Sequence, residues 1–213
     1  MTELLFVVTD ARPAAQTASP AIVLRVHVTN GGDPIHALAL RCQAQIEPRA
    51  RRHSANEQGR LYELFGDSSQ WDRALKSVTW AQVSTVVPAF DREVDVDLPI
   101  PCTYDFEVAA AKYLHAVREG DIPLRLLFSG TAFSVREEGF RIEPVSWMSE
   151  ASFRMPARVW RDAMDRFFPE AAWIRVRRDT LDRLQVFKGR HALITWDEAL
   201  DMLLQEAGAK EAV

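Results

Sequence analysis

The sequence predicts an α+β fold, with an antiparallel β-sandwich core, a helical insertion and a helical C-terminal region. Two observations support this fold. Segments with an apolar residue at every second position recur up to residue 150, and most connections between them are too short for a crossover helix. From residue 155 onward, apolar residues instead recur at helical spacing. We therefore expect two domains: residues 1–150 as a β-sandwich domain with helical insertions, and residues 151–213 as a helical region packed on it.

The clearest strand pair is expected on either side of an Asn-Gly-Gly turn. Residues 22–29 and 36–46 both have apolar side chains at alternate positions, which is typical of half-buried strands. Asn and Gly tolerate positive φ, so Asn30, Gly31 and Gly32 predict the turn of a hairpin. We expect the two segments to pair as neighbouring antiparallel strands.

The remaining strands are predicted from the same texture. They cover residues 3–9, 78–87, 93–98, 122–130, 131–135 and 139–145. In 93–98 the acidic residues alternate with apolar ones, so one face of this strand should lie in water. Because proline lacks the backbone N–H that a sheet ladder uses, Pro99 and Pro101 should end the strand.

Helices are predicted where apolar residues recur every three or four positions. In the insertion we expect a helix ending at Gly66, a short helix over 69–76, and a helix from Thr103 or Asp105 to Gly120. In the C-terminal region we expect helices from Pro156 to Pro169, from near Asp179 to Gly189, and from Thr195 onward. Thr195 and Glu198 have the spacing of a capping box, in which two side chains satisfy backbone N–H groups at a helix start.

The composition is that of an ordinary globular protein and argues against several classes. Hydrophobic residues make up 47% of the chain and charged residues 26%, so we expect a buried core. The net charge of −4 is atypical of a dedicated nucleic-acid binder. The N-terminal residues lack the basic region of a secretory signal, and no apolar run approaches the ~18 residues of a membrane helix. We therefore expect a cytoplasmic protein that has no membrane partner.

The two cysteines permit two interpretations. Alternation places His36 and Cys42 on one face of their predicted strand, and the face that holds Cys42 should be buried. If Cys102 converged on this pair, the three side chains would form a Cys/His metal site. The favoured interpretation is that both cysteines are reduced, that Cys42 packs as a small hydrophobic residue, and that no metal or cofactor is bound.

No catalytic motif is recognisable. The chain lacks the G-x-S-x-G, H-E-x-x-H and C-x-x-C patterns and any phosphate-binding loop. The acidic residues of 93–98 form one regular row, whereas acid–base catalysis requires paired carboxylates in unlike environments. The basic run of Arg49, Arg51, Arg52 and His53 could contact an anion, but a solvated loop is the favoured interpretation. We therefore expect no catalytic residues.

The C-terminal helices carry more apolar side chains than one buried stripe per helix accommodates. Phe167 and Phe168 are consecutive, so they cannot both face the same core. We hypothesise that Phe168 and Trp173, flanked by Arg175 and Arg177, form part of a protein-binding or self-association surface. The alternative is that the loop folds back and buries both aromatic side chains.

Several longer strings resemble a known group of proteins. These strings are HALALRCQAQIEPRARRHS, VDLPIPCTYDFEVAAAKYLHAV, IPLRLLFSGTAF and RRDTLDRLQVFKGRHALITWDEAL. They are similar to an uncharacterised bacterial family, a domain of unknown function, and the similarity spans nearly the whole chain. The family resembles proteins encoded near high-affinity, actinobacterial-type nickel–iron hydrogenases. The resemblance implies an accessory or maturation role and supplies no catalytic residues.

Two functions are consistent with these observations. The first is a non-enzymatic accessory protein that assists assembly or maturation of a nickel–iron hydrogenase. It would bind a hydrogenase subunit or its precursor, and could also form a homo-oligomer. The second is a metal-handling or small-ligand enzyme that uses Cys42, Cys102 and nearby histidines. Stoichiometric metal in the purified protein would favour the second.

Overall fold

A computed structural model describes residues 4–103, 105, 108–136, 139–146, 148–169 and 174–208. The chain divides into two compact units, residues 1–173 and residues 174–213. In the described residues, the first unit contains all the strands and four α-helices, and the second contains two α-helices. Residue 150, where we expected the sandwich to end, is the first residue of another strand of the first unit.

The first unit is built on two antiparallel sheets. Its described strands are β1 (Leu4–Pro13), β2 (Ala21–Asn30), β3 (Ile35–Ile46), β4 (Val78–Val87), β5 (Glu93–Pro101), β6 (Asp121–Arg136), β7 (Gly139–Pro144) and β8 (Glu150–Pro156). One sheet has the order β1-β2-β5. The other has the order β4-β3-β6-β7, with β8 also paired to β6. The predicted α+β fold with antiparallel sheets is therefore confirmed.

The core lies between the inward faces of the two sheets. Alternate residues of facing strands are buried, as the period of two requires. On β2 these residues are Ile22, Leu24, Val26 and Val28, and on β3 they are Leu38, Leu40, Cys42, Ala44 and Ile46. Phe6 of β1 stacks on Phe128 of β6 with ring centroids 4.3 Å apart, so the sheets pack face to face.

The predicted hairpin of residues 22–29 and 36–46 is wrong. Both segments are strands, but β2 pairs with β1 and β5, whereas β3 pairs with β4 and β6. The Asn30 turn therefore connects one sheet to the other. Asn30 Nδ2 donates to the carbonyl oxygens of Asp33 and Asp91, at 2.7 and 2.9 Å, and its Oδ1 accepts from the Gly32 N–H. Strands that face each other across a core bury the same alternate positions as paired strands, so alternation does not identify the partner.

The strand β5 continues through Pro99 and Pro101, which we expected to end it. Among the described strands β5 pairs only with β2, so it lies at a sheet edge. The N–H of Cys102 donates to the Pro20 oxygen at 2.9 Å, so even-numbered positions here direct their N–H groups toward β2. Both prolines occupy odd-numbered positions on the unpaired side. No ladder hydrogen bond is lost there.

The predicted strands 122–130 and 131–135 form one long strand, β6, with Gly130 at their junction. β6 pairs with β3 along one edge, and with β8 and then β7 along the other. Gly130 has a φ of +150°, and a Cβ at this position would lie 2.0 Å from the Ala39 carbonyl oxygen. Glycine therefore allows β6 to remain against β3 where its partner on the opposite edge changes.

The helices confirm most of the predicted helical segments. They are α1 (Ala55–Phe65), α2 (Trp71–Ala74), α3 (Ala109–Ala116), α4 (Ala157–Asp165), α5 (Arg178–Arg190) and α6 (Trp196–Glu206). The predicted capping box of Thr195 and Glu198 is present at the start of α6. α3 begins after Val108, later than the expected caps at Thr103 or Asp105. None of the helices in the described ranges is long and apolar enough to cross a membrane.

Candidate functional site

The residues predicted to bind a protein lie in both units. Phe168 follows α4, is half-buried and packs against the core of the first unit. Its backbone N–H donates to the Met164 oxygen at 2.9 Å. Arg175 and Arg177 are exposed in the second unit, where Arg177 Nε lies 3.6 Å from a carboxylate oxygen of Asp179. Trp173 lies outside the described residues.

The structure does not bring the predicted metal ligands together. The pairing of β3 with β6 has a β-bulge between Ile35 and Ala37, and the extra residue reverses the alternation before it. His36 is therefore exposed while Cys42 faces the core, and the prediction that they share one face is wrong. Cys102 follows β5 in the opposite sheet. The described ranges contain no group of three or more His, Cys, Asp or Glu side chains that could hold a metal ion.

The two cysteines are free thiols with raised pKa values. Burial raises the pKa of Cys42 to about 12, and burial also raises that of Cys102 to about 12. The thiolate, and not the thiol, is the metal ligand and the nucleophile. Burial therefore disfavours the thiolate form of both side chains.

A partly buried polar cluster, which we call the Arg51 cluster, connects the start of α1 to α3. It consists of Arg51, His53, Glu57 and Tyr113. Arg51 Nη2 donates to Glu57 Oε1 and Oε2 at 2.8 and 3.1 Å. His53 Nε2 and Tyr113 Oη are 3.0 Å apart. Glu57 Oε2 also accepts the Ser54 N–H at 2.8 Å, which completes a capping box at the start of α1.

The electrostatics of the Arg51 cluster favour uncharged His53 and Tyr113. Burial, and then the charge of Arg51, lower the pKa of His53. Burial raises the pKa of Tyr113. Arg51 Nη1 is buried, and no hydrogen-bond partner for it occurs among the described residues. Glu57 neutralises the charge of Arg51, and the contact of His53 with Tyr113 joins the loop before α1 to α3. The cluster therefore contains no exposed reactive group.

The Arg51 cluster corrects the expectation of a solvated basic loop. Of the basic run, Arg51 and His53 are half-buried, whereas Arg52 is exposed. Arg49 Nη2 donates to the Asp72 carbonyl oxygen. The S-x-x-E spacing of Ser54 and Glu57 was the sequence signal for the capping box that starts α1 directly after this basic run.

A groove of about 400 Å³ lies between α1 and α3. It is lined by Arg60, Glu63, Leu64, Lys112, His115 and Ala116. Lys112 Nζ pairs with the Glu63 carboxylate across it. Burial, and then the charges of Arg118 and Arg60, lower the pKa of His115. The groove therefore presents an ion pair and an uncharged imidazole at neutral pH.

The second unit leaves most of its apolar side chains in contact with solvent. In its described residues, no side chain of α5 is buried, and on α6 only Ala199 is. Its large apolar side chains that are 38% to 82% exposed are Ile174, Val176, Val186, Ile194, Trp196 and Leu204. Where such side chains form a contiguous patch, the patch marks an interaction site.

Residues 174–177 form an exposed basic and apolar segment ahead of α5. They are neither helix nor strand. The apolar residues Ile174 and Val176, 64% and 38% exposed, alternate with Arg175 and Arg177. In an extended chain, residues two apart lie on the same side. The segment can therefore present apolar side chains on one side and guanidinium groups on the other.

Residues 1–212 match a family described as "Family of unknown function (DUF6084)". The chain belongs to this family. No curated protein matches the DUF6084 sequence.

Solved structures resemble this DUF6084 chain only weakly. The CARDB domain of the PF1109 protein from Pyrococcus furiosus, in complex with di-metal ions, is 11% identical, with 73% of this chain and 87% of that domain covered and a TM-score of 0.29. The ApaA protein from Bordetella pertussis is 14% identical, with 73% and 95% covered and a TM-score of 0.28. A late embryogenesis abundant protein is 13% identical, with 72% of each chain covered and a TM-score of 0.33. Scores this low carry no argument about function.

Proposed function

We propose that this DUF6084 protein is a non-enzymatic accessory protein that acts by binding another protein. The observation that carries the proposal is the exposed segment 174–177, in which apolar and arginine residues alternate. Arginine is enriched at protein interfaces, and the centre of an interface buries apolar side chains. The alternative of a metal-handling enzyme is not favoured, because His36 is exposed while Cys42 faces the core, and Cys102 follows a strand of the opposite sheet.

The chemistry of the segment defines the partner surface that would suit it. An extended peptide binds by backbone hydrogen bonds to a sheet edge or groove, and its alternate side chains enter pockets. Arg175 and Arg177 would pair with carboxylates, which guanidinium groups contact through two parallel hydrogen bonds. The partner surface is therefore an acidic groove or sheet edge. The family resemblance makes a nickel–iron hydrogenase subunit or its precursor, in the cytoplasm, the partner to test.

A charge-reversal variant tests this proposal. Arg175→Glu and Arg177→Glu together should lower recovery of the hydrogenase subunit or precursor by at least about tenfold, because paired carboxylates would repel the new charges. The measurement is affinity purification of the tagged full-length chain from its native host, followed by quantitative mass spectrometry. The matched control is Arg158→Glu with Arg161→Glu, which makes the same charge change at exposed positions of α4.

The control separates a specific contact from net charge. Recovery should be unchanged in the α4 variant. Absence of any hydrogenase subunit in the wild-type purification, or equal loss in both variants, would rule out the proposal. Trp173→Ala tests the aromatic part of the hypothesis more directly than Phe168→Ala, because Phe168 packs against the core and its truncation would also destabilise the first unit.

A further inference from the structure

The second unit is too small to bury its own apolar residues. Two short helices are marginally stable in water unless tertiary contacts cover an apolar face. Units below ~40 residues usually require a disulfide, a metal or oligomerisation. Both cysteines of the chain lie in the first unit, and no metal-binding group occurs among the described residues. A second molecule that covers the exposed apolar side chains of this unit would supply such stabilisation.

The charges of the second unit are separated between its two helices. Residues 174–191 contain six arginine and lysine residues and two aspartates, whereas residues 195–206 contain four acidic residues and no arginine or lysine. Within α5 itself, four arginine and lysine residues exceed two aspartates, so α5 has a net positive charge and α6 a net negative one. A partner of a single charge sign would be attracted by one helix and repelled by the other.

The α5 side of this unit contains an apolar groove between arginines. An open groove of about 420 Å³ is lined by Asp182, Arg183, Val186, Phe187, Arg190 and His191. Arg183, Phe187 and Arg190 recur at helical spacing, so they lie along one face of α5. Val186 is 53% exposed in this groove. The groove therefore offers apolar contact at Val186 and Phe187 between Arg183 and Arg190, with Asp182 next to Arg183.

The α6 side carries charges of the opposite sign. Asp197, Asp201 and Leu204 recur at helical spacing and share one edge of α6. Leu204 is 54% exposed, and both aspartates are exposed. This edge therefore carries two negative charges one helical turn apart, opposite in sign to Arg183 and Arg190, followed by an apolar side chain.

We propose that the second unit is a homodimerisation module, in which the α5 groove of each copy receives the acidic α6 edge of the other. A twofold dimer requires a surface that contains both halves of each contact, because residue i of one copy meets residue j of the other and the reverse. The α5–α6 unit meets this requirement, since one chain carries both the basic groove and the acidic edge. Two equivalent contacts then form in each dimer.

A charge-swap experiment with the full-length chain tests the pairing. Arg183→Glu with Arg190→Glu makes the α5 groove acidic like the α6 edge, and Asp197→Lys with Asp201→Lys makes the α6 edge basic like the α5 groove. Each variant alone should dimerise at least about tenfold more weakly than wild type, because like charges then meet at both contacts. An equimolar mixture of the two variants should recover the dimer, because both contacts again join opposite charges. The measurement is sedimentation velocity over a concentration series.

The controls make each outcome decisive. Far-ultraviolet circular dichroism checks that each variant remains helical, and Arg158→Glu with Arg161→Glu on α4 should dimerise as wild type does. Added salt should weaken the wild-type dimer, because the contacts are exposed. A wild-type chain that sediments as a 24.1 kDa monomer throughout, or variants whose mixture stays monomeric while both are helical, would overturn the proposal. These results do not depend on whether a hydrogenase partner is recovered.

Discussion

Glu57 has two roles at the start of α1, and both are filled by the same carboxylate. It accepts the Ser54 N–H as part of the capping box and pairs with the guanidinium of Arg51. The side chains of Arg51 and Glu57 are 13% and 9% exposed, so neither charge is well solvated. Removing one partner of such a pair leaves an uncompensated buried charge, which costs more than the intact pair contributes.

Glu57→Ala should therefore lower the free energy of unfolding by about 3 kcal/mol, from the stranded Arg51 charge and the lost cap. The matched control is Glu63→Ala, which removes the partner of Lys112. Glu63 is 72% exposed, so this loss should stay below about 1 kcal/mol. Urea denaturation followed by fluorescence measures both values. Equal losses in the two variants would show that burial does not distinguish the two ion pairs.

Sequence patterns predicted residue-level features when the partners were close along the chain. The capping box of Thr195 and Glu198 depends only on backbone groups three residues apart, and it was predicted correctly. The contact of His53 with Tyr113 joins residues 60 apart, so no local pattern indicated it. The orientation of His36 was mispredicted because one bulge residue reverses the alternation, and nothing in that alternation indicates a bulge.

At the scale of elements, the sequence predicted where strands and helices lie better than how strands pair. Val78–Val87 is a strand over the predicted range. The predicted pairing of β2 with β3 was wrong, because an Asn-Gly-Gly turn can connect two strands of one sheet or two strands of facing sheets. β6 was divided at Gly130, because glycine is a common breaker and its close approach to β3 is a tertiary property.

Gly130→Ala should destabilise the protein by about 3 kcal/mol, because its Cβ would overlap the Ala39 carbonyl oxygen and its φ is unfavourable for alanine. Gly59→Ala in α1 is the matched control. A Cβ at Gly59 meets nothing within 4 Å, so alanine there should stabilise the helix by about 0.5–1 kcal/mol. Thermal unfolding of both variants gives the two signs. A neutral Gly130→Ala would mean that β3 and β6 can separate at this point without loss.

At the scale of the whole molecule, two histidines of the first unit link stability to pH. His53 faces Arg51 and Glu57, and His115 lies near Arg60 and Arg118. For both histidines burial is the largest cause of a lowered pKa in the folded state. The unfolded chain therefore binds these protons at higher pH than the folded chain does.

This difference fixes the sign of the pH dependence. Stability rises with pH wherever the unfolded state binds more protons, so the contribution of these histidines is complete above pH 6.5. It is lost as the pH falls from 6.5 through the lowered folded pKa values. Asp97 and Glu198 also have lowered pKa values, but their ordinary values of 3.8 and 4.5 place their effect at more acidic pH.

Urea denaturation at pH 7.5 and 5.5 should thus show a smaller free energy of unfolding at the lower pH. The variant with His53→Gln and His115→Gln cannot take up these protons, and its stability should change less between the two conditions. Since glutamine also alters the contact with Tyr113, the comparison rests on the pH difference within each protein and not on absolute stability. Equal differences in the wild type and the double variant would assign the pH dependence to other groups.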